Sequence, residues 1–137
     1  MVLAIILLLG VSTAGQASWH NPYHKSAPAD TTKGMIYDTP EIMPQFPGGP
    51  TALDAFVRKH KKYPEEARAQ QLSGKVYVQF VVEKDGTISH VEVRMGRHKP
   101  LNDEAVRIVR QMPKWKPGSN RNKIVRTRYT LPITFHP

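Results

Sequence analysis

The chain has 137 residues, 39% of them hydrophobic, with 20 Lys and Arg against 11 Asp and Glu and a formal charge of +9. That length fits one domain with a modest core, and the absence of cysteine excludes a disulfide framework, a thiolate nucleophile, a cysteine zinc site and lipid attachment through an N-terminal cysteine. The positive charge is concentrated, since no acidic residue occurs from Ala105 to Pro137; such a field either speeds encounter with an acidic partner or simply solvates the surface.

The first element is "VLAIILLLGV", Val2 to Val11. It is about half the ~20 apolar residues a membrane span needs. With Gly15 and Ala17 as a small-x-small site, it reads as a signal peptide over residues 1–17, with a short membrane anchor as the alternative. Residues 18–45 form a proline-rich tail and lead-in segment. Within it His20 and His24 have a metal-ligand spacing, but Pro22 argues against a helix to present them, so no metal is expected. "MIYDTPEIMPQFPGGP" is too apolar for a free linker and is expected to pack, extended, on the surface of a domain spanning residues 46–137.

"TALDAFVRKHKKYP" predicts a helix capped by Thr51 with Asp54 three residues on, with Leu53, Phe56, Val57 and His60 on one face. Pro64 ends it and opens a short second helix, "PEEARAQQL". "GKVYVQFVVEKDGTISHVEVRMG" is a hairpin. Val76, Val78, Phe80 and Val82 share a face, Lys84 to Gly86 make the turn, and Val91, Val93 and Met95 fall together on the return strand. Tyr77 and Val81 make the first of these strands apolar on both faces, as a central strand would be. "LNDEAVRIVRQM" predicts a third, amphipathic helix with Asn102 as its cap; "PKWKPGSNRN" reads as loop, with Trp115 anchored in the core.

The last strand alternates Val125, Thr127, Tyr129, Leu131, Ile133 and Phe135 against Arg126, Arg128, Thr130 and Thr134. One helix separates it from the hairpin, so it runs antiparallel to the first hairpin strand. The expected fold is therefore α+β, with two to three helices on a three-stranded antiparallel sheet of order 2-1-3. The last strand then lies at an edge, where Pro132 is tolerated. Pro132, the arginines and "MIYDT" are also candidates for edge protection.

Tyr63-Pro64, Gly74, Val76 through Phe80, Asp85-Gly86, the Leu101 helix, Trp115, Pro117-Gly118 and "VRTRYTLPITF" together resemble the C-terminal domain of TonB energy transducers, and "QFPGGP" resembles its beginning in transducers of the Bacteroides type. The resemblance implies a non-catalytic periplasmic module. Its edge strand would bind an extended segment, the TonB box, of an outer-membrane TonB-dependent transporter by β-augmentation. The implied peptide-binding residues are Ile124, Val125, Arg126, Thr127, Arg128, Tyr129, Thr130 and Leu131. His60, Lys61, Lys62 and Tyr63 stand where a glutamine-containing stretch before Tyr-Pro contacts the transporter in the family. ExbB and ExbD are implied as partners if the chain is anchored in the inner membrane facing the periplasm.

Other functions find less support. Glu65–Glu66 and Asp103–Glu104 are adjacent residues at helix starts and point apart, so neither is a catalytic dyad. No nucleophile elbow, phosphate loop or cofactor motif appears, and no stacked-aromatic strand signature for nucleic acid; the chain reads as neither an enzyme nor a nucleic-acid binder. "RKHKK" (Arg58 to Lys62) and the basic surface leave a structural or polyanion-binding module as the alternative. An exposed edge also allows a strand-exchanged homodimer.

Overall fold

A computed structural model describes residues 34–137 of the chain. The signal segment expected over residues 1–17 and the His20–His24 pair lie outside the described residues.

The alternation of apolar residues builds the sheet as expected and extends it. Strand β2 (Gly74–Val82) is central and buries Val76, Val78, Phe80 and Val82 on one face. It pairs antiparallel on one side with β3 (Ile88–Met95) and on the other with β5 (Lys123–Phe135), in register from Gly74 opposite Phe135 to Val82 opposite Thr127. That is the expected 2-1-3 arrangement. Outside β5 lies β1 (Ile36–Tyr37), giving the order β1-β5-β2-β3. The stretch expected as loop before β5 instead contains β4 (Gly118–Asn120), joined to it through Arg121 and Asn122, both at positive φ as a tight hairpin turn requires. The ordered fold therefore begins before residue 46: Ile42 and Gln45 exchange backbone hydrogen bonds with Ser119 and Lys116.

Two bulges in β3 alter its facing. Between the pairs Tyr77–Met95 and Val78–Val93 the return strand carries one extra residue, and a second extra residue lies near His90, whose φ is 50°. Val91 and Val93 pack on the core as expected, but the first bulge turns Met95 to the opposite face, where it is 65% exposed.

The helices start earlier than the capping residues suggested. Helix α1 (Gly49–His60) begins behind Gly48, which sits at φ 90°, with Pro50 in its first turn; Thr51 lies inside it and caps nothing. Helix α2 (Glu65–Ala69) follows Pro64. Helix α3 (Lys99–Arg110) is capped at His98 with Pro100 in the first turn, and the Asn102 amide donates to the Gly96 carbonyl instead of capping. All three helices contribute to one core on one face of the sheet, where Leu53, Ala67, Leu101, Ala105, Ile108 and Val109 meet the inward residues of β2 and β5. The other face of the sheet carries Tyr77, Gln79, Arg128 and Thr130 and receives no helix among the described residues.

Candidate functional site

A sheet of this order has two outer edges, and their geometry distinguishes them. The outer edge of β3 is interrupted by both bulges, which twist its backbone groups out of line. β5, thirteen residues long, pairs with β2 without an irregularity in register from Thr127 to Phe135. A straight edge can template another strand; a bulged one resists it.

The alternation of β5 decides which backbone groups face outward. In an antiparallel pair, residues alternate between bonding the neighbour and pointing away from it. Pro132 has no N–H and is opposite Tyr77, which places it in a non-bonded pair. Thr134, of the same parity, offers its carbonyl to Lys61 Nζ at 2.8 Å. Arg128 and Thr130 share that parity, so their N–H and C=O groups point to the outer side. Beyond Thr127 no strand among the described residues pairs with this side.

The residues expected to bind peptide divide accordingly. Ile124 and Val125 pair with Ser119 and Gly118 of β4. Arg126 and Thr127 pair, in parallel, with Ile36 and Tyr37 of β1. The outer edge expected to be free is thus occupied at Arg126 and Thr127 by β1, as edge protection by "MIYDT" predicts, while β4 meets residues 123–125 on the side that β2 covers further along. Arg128, Tyr129, Thr130 and Leu131 remain along the open part, which continues through Thr134. Tyr129 and Leu131 turn inward to the core, leaving Arg128 and Thr130 as the outward members.

Arg126 is not a surface cation. It is 4% exposed, bonds Glu83 through Nε at 2.7 Å and through a terminal nitrogen at 3.1 Å, and donates to the Gly34 carbonyl at 2.9 Å. It ties β5 to the β2–β3 turn and to β1 at once. Arg128 lies further along the same face and pairs with Asp38 at 2.5 Å. Glu83 and Asp38 are partners that no motif announced; only charge opposite charge in the final register reveals them.

The segment before Tyr63-Pro64 reaches the far end of the open edge. Lys61 lies beside Thr134 and 5.6 Å from the Phe135 ring centroid. His60 stacks on Phe56 with centroids 4.0 Å apart. The Tyr63 hydroxyl donates to the Leu72 carbonyl, a tether to the end of α2 and not an edge contact. Glu104 holds this segment in place. Its carboxylate accepts the Lys62 N–H at 2.7 Å and two Arg107 bonds, while Arg107 also donates to the His60 carbonyl at 2.6 Å. Burial pushes the Glu104 carboxyl up, but the Arg107 and Lys62 bonds and their positive charges outweigh it and hold its pKa below the ordinary carboxylate value.

A folded pKa below the unfolded one gives stability that is full above the unfolded value and is lost as pH falls through the folded value. Glu104→Gln should therefore flatten the acid side of the stability profile below about pH 4.5. Glu104→Ala, which leaves Arg107 and the Lys62 N–H unpaired, should cost about 2 kcal/mol at pH 7. Urea unfolding at a series of pH values checks both; parallel acid limbs for wild type and Glu104→Gln would show that this carboxylate does not set the profile.

Two shallow depressions flank the open edge on the helix-free face. One, of about 280 Å³, is lined by Ile36, Gln79, Val81, His90 and Arg128; the other, of about 370 Å³, by Tyr77, Gln79, Arg94, Met95 and Thr130. Neither gathers a nucleophile with a base, and no group of three or more His, Cys, Asp or Glu able to hold a metal occurs among the described residues. The arrangement presents backbone hydrogen bonds, cations and apolar shelves, which suits a chain segment better than a small substrate.

The family model described as Gram-negative bacterial TonB protein C-terminal matches residues 59–137. Protein TonB of Salmonella typhimurium is 31% identical over 104 residues, covering 72% of this chain and 41% of that protein, so the chain spans about two-fifths of its relative's length. The solution structure of the Helicobacter pylori TonB C-terminal domain shares the fold with a TM-score of 0.50 at 18% identity, covering 64% of this chain and 78% of that one. The Pseudomonas aeruginosa TonB C-terminal domain superposes with a TM-score of 0.45 at 26% identity over 56% of this chain and 78% of the other.

Proposed function

Because the chain belongs to the Gram-negative bacterial TonB C-terminal family, we propose that its domain is a periplasmic interaction module that takes an extended segment of an outer-membrane transporter as an added strand on β5, in support of energy-coupled transport. The observation that carries this reading is the outer edge of β5 from Arg128 to Thr134, straight and unpaired by any strand among the described residues. The apolar run Val2 to Val11 supports export or anchoring at the inner membrane, and anchoring would add ExbB and ExbD as partners.

The outward groups limit the affinity that backbone pairing supplies. With β1 docked the Arg128 N–H faces the Tyr37 carbonyl, so the open run offers the Arg128 C=O, both groups of Thr130, the Pro132 C=O and the Thr134 N–H. About five bonds at roughly 1 kcal/mol net each give on the order of 5 kcal/mol, against the roughly 8 kcal/mol of micromolar binding. Side chains must supply the difference, and Arg128 and Lys61 stand at the two ends of the open run.

The test is calorimetric titration of the full chain with synthetic peptides from the periplasm-facing N-terminal segments of outer-membrane transporters of the same cell, with backbone NMR to locate the contact. Micromolar binding that persists at moderate salt, with shifts centred on residues 128–134, is expected. Binding weaker than millimolar, or shifts confined to the basic helix end around Arg58 and collapsing with salt, would sink the reading in favour of a polyanion surface.

A further inference from the structure

The parallel pairing of β1 with β5 uses the same outer edge that the proposed function assigns to a partner. Ile36 stands opposite Arg126 and Tyr37 opposite Thr127; one residue further, Asp38 pairs with Arg128. The chain then turns away at Asp38 to Pro40, leaving the outward groups of Thr130 and Pro132 unused. Partners across a ladder place their side chains on the same face, so Ile36 and Asp38 lie together with Arg126 and Arg128 on the helix-free face. Ile36 enters the depression with Val81, Gln79 and His90. An apolar side chain in a shelf and an acid on Arg128, two residues apart, are what a bound peptide would show here.

We propose that Gly34–Asp38 is a built-in stand-in for the partner segment, and that the site reads an extended peptide running parallel to β5 with an apolar residue two positions before an acidic one. This rests on the strand-addition reading of β5 and adds its orientation, its specificity and a competitor. Arg128 is the specificity residue for the acid, and the shelf at Val81 receives the apolar side chain.

The stand-in is built to leave. It contributes only two paired residues to the sheet and accepts one bond from Arg126 at the Gly34 carbonyl, and its ion pair is solvated, with Asp38 67% and Arg128 38% exposed. Exposed pairs of this kind add little to stability. Tethering raises the local concentration of such a segment to the millimolar range, which is enough to hold a weak strand in place. A partner that also engages Thr130 and Pro132 outcompetes it. While the segment is docked, a partner meets only the fraction of molecules in which it has lifted, and apparent affinity falls by that fraction.

The experiment compares the full wild-type chain with two strap variants. Asp38→Lys repels Arg128, and Tyr37→Pro removes a backbone donor from β1; neither residue is in the buried core. The probe is acetyl-Gly-Met-Ile-Tyr-Asp-Thr-amide, residues 34–39, titrated by NMR, with amide exchange at Arg128 reporting strap opening. Both variants are expected to expose the Arg128 amide and to bind the probe about tenfold more tightly than wild type. Probes carrying Asp38→Lys or Ile36→Gly should bind neither variant, and transporter-derived peptides should gain a similar factor. Equal binding of the probe by all three chains overturns the proposal. If transporter-derived peptides bind all three chains alike and the probe binds none, the stand-in is refuted while strand addition on β5 stands. If neither class of peptide binds any chain, both readings fall together.

Discussion

Replacing Trp115 with alanine is expected to destabilise the domain by about 3–5 kcal/mol and to lower its melting temperature by roughly 15–30 °C. The indole is 3% exposed and meets Phe46, Phe80 and Tyr129 edge-on, at centroid distances of 5.8, 5.4 and 5.0 Å. Those three rings come from the lead-in segment, β2 and β5, so one side chain closes the core where three parts of the chain converge. The backbone at Trp115 is equally committed. Its N–H donates to the Gly86 carbonyl at 2.8 Å, and a Cβ added at Gly86, already at φ 86°, would come within 2.1 Å of the Trp115 carbonyl oxygen. The site cannot collapse onto a smaller side chain, because the hairpin turn is fixed against it; this places the cost at the upper end for aromatic deletions. Trp115→Phe keeps an aromatic ring in the cluster and should lose much less. Thermal unfolding followed by circular dichroism measures both, and a loss under about 1 kcal/mol for the alanine variant would mean that the cluster repacks around the gap.

The core was legible because it follows period alone. Val76, Val78, Phe80 and Val82 announce one buried face, Leu101, Ala105, Ile108 and Val109 another, and an aromatic between two lysines at Trp115 has no comfortable exposed position. The helix starts were less legible, since Thr51 and Asn102 are good caps by residue type, yet glycine at φ 90° and first-turn prolines began both helices earlier. The reversed facing of Met95 depends on bulges, which insert a residue without a signal in the hydrophobic pattern. β1 was legible as a packed segment but not as a strand. Two residues are too few for alternation, and its position is specified by Arg126 and Arg128 reaching Gly34 and Asp38 across ninety residues of chain. The open edge carried a signal in Pro132, whose missing N–H announces the parity of every outward group on β5.

That parity yields the sharpest test of how β5 works, through a second proline placed at either of two neighbouring positions. Thr130 points its N–H outward, so Thr130→Pro removes a donor from the open edge without touching the ladder to β2. The domain is expected to keep its fold, with stability changed by about 1 kcal/mol or less, while peptide binding falls about tenfold or more through a lost bond and the ring's intrusion on the added strand. Leu131 has the opposite parity. Its N–H faces β2 opposite Val78, and its side chain is buried in the core. Leu131→Pro should cost about 3 kcal/mol or more through the ladder alone, with the loss of leucine packing added to it. Melting curves and peptide titration on the two variants separate function from folding within a single step along the chain. If Thr130→Pro binds peptide as wild type does, the added strand is not on this edge. If it unfolds the domain instead, Thr130 faces β2, and the outward groups of β5 belong to the other parity, which would remove Arg128 from the open edge as well.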